Sequence, residues 1–196
     1  MPIAKELKIY LNDFSDIPEE YQPGFKTAIA MVDWEQLSEA FSDKSSEELF
    51  PFIRKTLLAA VMLVNTFAET AAISEMELLK RGLGRGLFSL QCTGIRNFSF
   101  VEWQIKTTIR SFILKAENHG KKPAIKIKCV SDKPVKCPFC GSKDIKDIIY
   151  GLPSPDFDYS KYISGGCCVM PYKWHCDNCF AKFKKALKRS RKIADS

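Results

Sequence analysis

The sequence is poor in histidine and lacks a long apolar run, and each shortage excludes a class of protein. Its two histidines, His119 and His175, are not at the spacing of paired metal ligands. The sequence therefore has almost none of the residues that the active site of a histidine-based metallohydrolase or a Ser-His-Asp hydrolase requires. The longest uninterrupted apolar run, Leu57–Val64, has eight residues, too few to cross a bilayer. The first twenty residues carry charges throughout and lack a secretory signal pattern. We therefore expect a cytoplasmic protein with no membrane partner.

Cysteine and positive charge are both concentrated in the C-terminal part. Six of the eight cysteines lie after residue 130, and in a reducing compartment such a cluster is more typical of metal binding than of disulfides. Residues 1–120 contain 13 basic and 16 acidic side chains, whereas residues 121–196 contain 17 and 7. A basic module therefore follows a nearly neutral one.

Apolar periodicity predicts that the N-terminal part is rich in helix. Residues 33–41 and 51–80 show the three- and four-residue steps of amphipathic helices, with Asp33 as an N-cap and a break near residue 73. After that break we expect a short second helix that ends at Gly82, because glycine commonly terminates helices. The alternation from Leu7 to Leu11 indicates a weak strand instead.

Two further segments lead into the cysteine-rich part. Residues 97–117 fit both a helix and a strand; their length and a Ser99–Glu102 capping pattern favour the helix. Residues 124–130 alternate in polarity and predict a half-buried strand. We expect an α+β chain with an α-rich domain of unknown type over residues 1–130, a small β module over 131–185 and a basic tail over 186–196.

Four cysteines have the spacing of a closed metal site. Cys137 and Cys140 form one C-x-x-C pair, and Cys176 and Cys179 form a second pair that is separated from the first by 35 residues. Each such turn delivers two thiolates, and four thiolates fill the tetrahedral corners around one structural Zn²⁺ with no open position for water. Because four thiolates around Zn²⁺ carry a net charge of −2, the formal +7 of the chain falls to about +5.

A redox role is the main alternative for the first pair. Cys137-Pro-Phe-Cys140 on its own is similar to a glutaredoxin active site. That role needs a preceding strand and a long helix that begins at the first cysteine. Lys133–Lys136 and Gly141-Ser142 fit neither element, so structural zinc is favoured.

The cysteine-rich segment resembles a zinc-ribbon module of small, largely uncharacterised bacterial proteins. The resemblance rests on four motifs: C-P-x-C-G-S at Cys137–Ser142, Y-G-L-P at Tyr150–Pro153, G-G-C at Gly165–Cys167 and W-x-C-x-x-C at Trp174–Cys179. It covers residues 135–184, about a quarter of the chain. This resemblance implies zinc and a ribbon fold, but it implies no reaction.

The chain departs from that pattern at two positions. Phe180 stands where a glycine commonly follows the last cysteine, and Cys168 adds a second cysteine beside Cys167. Three roles are open for the adjacent cysteines: buried strand residues, alternative zinc ligands, or an exposed thiol beside His175. The first is favoured, because a free cysteine is usually an inert small hydrophobic residue.

The residues after the second C-x-x-C pair form a basic cluster. Seven of eleven positions are basic and none is acidic: Lys182, Lys184, Lys185, Lys188, Arg189, Arg191 and Lys192. Such a cluster attracts polyanions through counterion release, and aromatic side chains in the same module can stack on bases. A merely solvated tail and an acidic protein or membrane surface are the alternatives.

The segment Lys80–Gly86 is a second candidate for phosphate contact. Three glycines beside two arginines would allow backbone amides to approach a phosphate. The spacing matches neither a Walker loop nor a dinucleotide fingerprint. A helix C-cap followed by a flexible turn is therefore favoured.

Three functions follow from these patterns. The leading one is a zinc-ribbon binding protein that contacts nucleic acid, or a nucleic-acid-handling assembly, through its basic C-terminal part. The second is an interaction adaptor whose helical domain docks on a protein partner or a second copy. The third is an enzyme whose site lies in the helical domain, for which no residues form a catalytic pattern. We expect no catalytic residues and no cofactor beyond zinc.

Overall fold

The structure is a computed structural model and describes residues 2–42, 44–68, 73–93, 97–121 and 123–186. These residues form an α+β protein with two compact units. One unit contains the described residues up to Pro123 together with Pro155–Ser160. The other contains Ala124–Ser154 and the described residues from Lys161 onward.

The first unit is helical. Its elements are α1 (Pro2–Leu11), a short 3₁₀ helix (Glu19–Tyr21), α2 (Gln22–Met31), α3 (Trp34–Ala40), α4 (Ser46–Ala68), α5 (Glu75–Thr93) and α6 (Phe98–Glu117). One apolar core joins α1 to α6. The predicted helix over residues 97–117 is confirmed.

The first helix replaces a predicted strand. Leu7 and Leu11 are one helical turn apart and are both buried, whereas Ile9 between them is 67% exposed. Three alternating apolar residues fit both the two-residue period of a strand and the turn of a helix. Here the four-residue step of a helix places the two leucines in the core. The strand prediction for this segment is therefore wrong.

Side-chain caps fix the starts of two helices. Asp33 accepts a hydrogen bond from the Gln36 amide at 3.0 Å, which confirms it as the N-cap of α3. At α6 the cap is Asn97, whose Oδ1 lies 3.1 Å from the Phe100 amide nitrogen, so the predicted Ser99 cap is wrong. Ser99 instead donates to Asn97 and accepts from the Tyr159 amide.

Helix α5 continues through the glycine-rich segment that was predicted to end it. A Cβ on Gly82 would lie 3.0 Å from the Ile109 Cδ1, and one on Gly86 would lie 2.8 Å from the Ile105 Cδ1. The glycines therefore allow α5 and α6 to approach closely, and this packing outweighs their poor intrinsic helix propensity. The predicted helix end at Gly82 and the flexible turn after it are wrong.

Helix α4 is the central core helix of this unit. It is the one described helix whose length and composition would also suit a membrane span, and more than half of the apolar window is buried inside the unit. Its buried Arg54 donates to the carbonyls of Tyr10 and Asp13 and pairs with Asp16. Core packing thus accounts for its apolar face.

The short segment Pro155–Ser160 packs on the start of α6. The Asn97 Nδ2 donates to the Pro155 carbonyl at 2.7 Å. The ring of Tyr159, which is 6% exposed, stacks on Trp103 at 5.2 Å between centroids and contacts Phe100 edge-on. These contacts make the segment part of the helical unit although the residues on both sides of it belong to the other unit.

The second unit is a five-stranded mixed sheet. Its strands are β1 (Ile127–Val130), β2 (Ile145–Ile149), β3 (Tyr162–Ser164), β4 (Tyr172–Cys176) and β5 (Lys182–Lys185). They lie in the order β1-β5-β4-β2-β3, with β4 antiparallel to both of its neighbours. The predicted strand before residue 130 is confirmed, but it is more exposed than expected.

Two glycine motifs meet where β2 and β3 end. The Gly165 amide donates to the Ile149 carbonyl, and the Gly151 amide donates to the Gly166 carbonyl. A Cβ on Gly165 would lie 2.5 Å from the Tyr150 ring, so a larger residue there would collide with that ring. The Tyr150 hydroxyl donates to the Tyr172 carbonyl at 3.0 Å and thereby connects this corner to β4.

Two glycine substitutions in α5 test the close packing on α6. We expect Gly86→Ala to destabilise the chain by about 1–3 kcal/mol, because the added methyl would lie within 3 Å of Ile105 and Thr56. Gly84→Ala is the matched control: nothing lies within 4 Å of its Cβ position, and alanine should stabilise the helix by about 1 kcal/mol. Thermal unfolding followed by circular dichroism measures both. Equal changes of the melting temperature with the same sign in both variants would contradict the close packing of α5 on α6.

Candidate metal centre

The two C-x-x-C pairs adopt the same backbone turn. In the first, the Cys137 amide donates to the Ser142 carbonyl and the Gly141 amide donates back to the Cys137 carbonyl, both at 2.8 Å. In the second, the Cys176 amide donates to the Ala181 carbonyl and the Phe180 amide donates to the Cys176 carbonyl, both at 2.9 Å. Two sequences with little in common therefore present their cysteines in the same way.

The residue after each pair has a left-handed backbone. Gly141 has φ of 74° and Phe180 has φ of 60°. A phenylalanine in this region carries a steric cost that glycine does not. Its ring stacks on His175 at 5.9 Å between centroids, a contact that glycine could not make. This packing gives Phe180 a role in the position where the resemblance leads us to expect glycine.

The sheet brings the two turns together. Cys176 is the last residue of β4 and pairs in register with Ile145, which opens β2 just after the first turn. The Asp177 amide extends this pairing by donating to the Asp144 carbonyl at 2.9 Å. The four predicted cysteines thus meet at one end of the β2–β4 pair.

The sulfur atoms lie at the spacing of a tetrahedral site. The Sγ atoms of Cys137 and Cys179 are 3.6 Å apart, as are those of Cys140 and Cys176, and all four lie within 4.8 Å of one another. Sulfurs bound to one zinc ion at about 2.3 Å would be about 3.8 Å apart. The group can therefore hold one metal ion.

The protein surroundings alone do not favour four thiolates. Burial raises the pKa of the Cys176 thiol, and burial also raises the pKa of Cys179 to about 11. At Cys140 burial acts in the same direction, but hydrogen bonds from the Ser142 backbone and the Asn178 side chain lower its pKa to about 7. A cation among the sulfurs would stabilise all four as thiolates.

A buried ion pair lies beside the cysteines. Asp177 sits inside the second turn and is 1% exposed, and its Oδ2 is 2.8 Å from the Nζ of Lys146 on β2, whose side chain is 8% exposed. Sequence reasoning missed this pair because its members are 31 positions apart. The only local signal is that Lys146 interrupts the apolar positions of a short strand.

His175 is packed rather than ligating. Its Nε2 lies 3.8 Å from the Asp177 Oδ1, and it is not part of the group of four sulfurs. Burial is the main cause that lowers the pKa of His175 to about 4, although Asp177 opposes this shift. The ring is therefore neutral at physiological pH.

Cys167 and Cys168 lie outside the metal centre. Both are exposed in the segment after β3, so the favoured prediction that they are buried strand residues is wrong. The group that could hold a metal consists of Cys137, Cys140, Cys176 and Cys179, which leaves no ligand role for this pair among the described residues. Cys129 on β1 is exposed as well.

The predicted basic cluster is only partly described. Lys182, Lys184 and Lys185 belong to β5; Lys188, Arg189, Arg191 and Lys192 lie outside the described residues. The three described lysines are thus part of the folded sheet. No known protein family, curated protein or solved structure matches this chain.

Metal analysis of the purified protein tests the centre. We expect one metal ion per chain and, after Co²⁺ replacement, the strong near-ultraviolet absorption of thiolate-to-metal charge transfer. Cys140→Ser should lose most of the metal, whereas Cys167→Ser should retain it because Cys167 lies outside the group. A folded protein without metal, or equal metal loss in both variants, would contradict this assignment.

Asp177→Asn tests the buried ion pair. Removal of the Asp177 charge breaks this buried pair and should cost about 3–5 kcal/mol. The exposed pair Lys133–Asp147, with side chains 43% and 40% exposed, supplies the control: Asp147→Asn should cost less than about 1 kcal/mol. Denaturant unfolding of the metal-loaded protein measures both. Similar small losses would show that the buried pair contributes little.

Proposed function

We propose that the second unit is a zinc ribbon and that the protein binds single-stranded nucleic acid through the sheet face opposite the cysteines. The observation that carries this proposal is an aromatic ring, Tyr172, with two lysines beside it. The Nζ atoms of Lys182 and Lys184 lie 5.2 and 5.4 Å from the centroid of that ring. Both lysines belong to the cluster that the sequence predicts to contact nucleic acid.

Zinc suits the donor set, and the unit needs it for stability. Four soft thiolates in tetrahedral arrangement favour Zn²⁺ over harder divalent ions and leave no position for substrate, which makes the centre structural. Among the described residues, the buried core around the centre consists of Cys137, Cys176 and four others: Ile145, Trp174, Ala181 and Phe183. A core of this size stabilises a fold weakly, so metal binding supplies much of the folding free energy.

Strand β5 separates its lysines from the metal centre. Successive strand residues point to opposite faces of a sheet. Phe183 is fully buried in the core beside the cysteines, so Lys182 and Lys184 on either side of it point to the other face. Tyr172 pairs in register with Lys184 and therefore shares that face.

The arrangement suits an unpaired base and its phosphates. Tyr172 is half-buried, so one part of its ring is held by the protein while the rest remains accessible. A base stacked on a tyrosine places its backbone phosphates within reach of ammonium groups on either side. Bases are available for such stacking in single strands, which favours a single-stranded ligand over a duplex.

The charge of the unit supports the same ligand. The residues 124–154 and 161–186 contain eleven lysines and four aspartates. Two of those aspartates, Asp177 and Asp147, are paired with lysines. Even with −2 assigned to a zinc–tetrathiolate centre, the excess remains positive and attracts polyanions.

Binding of a fluorescent single-stranded oligonucleotide, measured by anisotropy over a range of salt concentrations, tests the proposal. The Lys182→Gln/Lys184→Gln variant should reduce the affinity about tenfold and lower the slope of log K against log salt by about 1.4, because two phosphate contacts are lost. Tyr172→Ala should cost about 1–3 kcal/mol through lost stacking.

Lys128→Gln is the matched control for the sheet face. Lys128 is exposed on β1 and pairs with Phe183. It therefore lies on the same face of the sheet as the cysteines, and its loss should change the affinity for the oligonucleotide little. A chain that ends at Ala186 separates the strand lysines from the more distal basic residues. Affinity that is indifferent to salt, or lost equally in the control variant, would overturn the proposal.

A further inference from the structure

A cationic groove of about 520 Å³ runs along α5 and α6 of the helical unit. Its lining includes two arginines, one lysine and neutral hydrogen-bonding side chains: Arg81, Arg85, Lys115, Gln104, Thr108 and Ser111. None of its lining residues carries a carboxylate. The groove belongs to neither the metal centre nor the sheet face described above.

Close helix packing creates this groove. Gly82 and Gly86 pack against Ile105 and Ile109. The polar residues next to these glycines on α5 therefore lie beside polar residues of α6. Arg81 and Arg85 are one helical turn apart on α5, and Gln104, Thr108 and Ser111 follow each other at three- and four-residue steps on α6. The two arginines and these three polar residues of α6 therefore line one continuous groove.

Arg81 is held in place on two sides. Its Cζ lies 3.8 Å from the centroid of the Phe112 ring, and its Nε donates to the Glu77 carboxylate at 2.8 Å. Glu77 accepts from Nε, so the two Nη groups can donate to a ligand. A stacked guanidinium loses less side-chain freedom when it binds an oxyanion, which favours binding.

Arg85 is held in the same manner one turn later. Its Nε donates to the Gln104 Oε1 at 2.8 Å, and its guanidinium lies 5.5 Å from the Phe88 ring. Its partner is a neutral amide, so the charge of Arg85 is not balanced within this contact. The two arginines thus present two planar guanidinium groups, whose N–H donors match the geometry of phosphate oxygens.

We propose that this groove binds phosphate oxyanions, either in a free oligophosphate or in the backbone of a nucleic acid. The segment Lys80–Gly86 supplies the arginines but not the backbone amides, because those amides lie within α5. Hydroxyl groups of Thr108 and Ser111 and the ammonium of Lys115 complete the set of donors. The proposal uses residues of the helical unit alone and does not rest on nucleic acid binding by the sheet.

Titration of the full-length protein with sodium tripolyphosphate, followed by calorimetry and by ³¹P NMR line width, tests the groove. We expect saturable binding that weakens at least tenfold in the Arg81→Gln/Arg85→Gln variant. Lys80→Gln is the matched control, because Lys80 is exposed on the same helix but lines a different groove; its affinity should be unchanged. Ser111→Glu, at an exposed position, should also abolish binding by placing a carboxylate among the donors.

Competition with an unlabelled single-stranded oligonucleotide identifies the source of the phosphate. In the Lys182→Gln/Lys184→Gln background, displacement of tripolyphosphate would assign the groove to a nucleic acid backbone, and lack of displacement would assign it to a free oligophosphate. Absence of saturable tripolyphosphate binding would overturn the proposal. Full affinity in both the double arginine variant and Ser111→Glu would overturn it as well.

Discussion

The sheet of the second unit depends on the convergence of four sulfur atoms from two distant turns. Each turn is closed by its own two backbone hydrogen bonds, so the turns form locally, but their meeting requires β4 to pair with β2. Few apolar side chains support that pairing, because the core around the cysteines is small. A bound ion would link both turns and offset the loss of chain entropy when the intervening segment is closed. A metal ion bound by the four sulfurs would therefore also help to position the sheet face opposite them.

The ion pair between Lys146 and Asp177 favours one alignment of the two turns and their strands. Asp177 lies between the two cysteines of the second turn, and Lys146 is the second residue of the strand that follows the first turn. Separation of two buried charges is costly, so registers of β2 and β4 that separate Lys146 from Asp177 are disfavoured. The pair thus favours one register of β2 against β4. Tyr172 lies beside the lysines of β5 through a second register, in which β4 pairs with β5.

Patterns of neighbouring residues in the sequence predicted the structural features that those residues determine by themselves. The C-x-x-C spacing identified all four residues of the sulfur group because the turn fixes two ligands at once, and the long period over residues 97–117 identified α6. Short segments failed: three alternating residues could not distinguish helix from strand at Leu7–Leu11, and burial of Leu7 and Leu11 decided it. The Lys146–Asp177 pair and the Asn97 cap contacts to residues 155–157 depend on distant partners, which spacing alone does not contain.

The glycine-rich segment Lys80–Gly86 shows how tertiary packing changes the chemistry that a motif can perform. Considered alone, three glycines beside two arginines suggest a loop whose amides face a ligand. Within the bundle, Gly82 and Gly86 are the contact surface for isoleucines on α6, and the amides are used inside the helix. The same contact draws the arginines alongside Gln104 and Phe112, where stacking and hydrogen bonds orient them. The basic character of the motif therefore survives, but side chains rather than the backbone carry it.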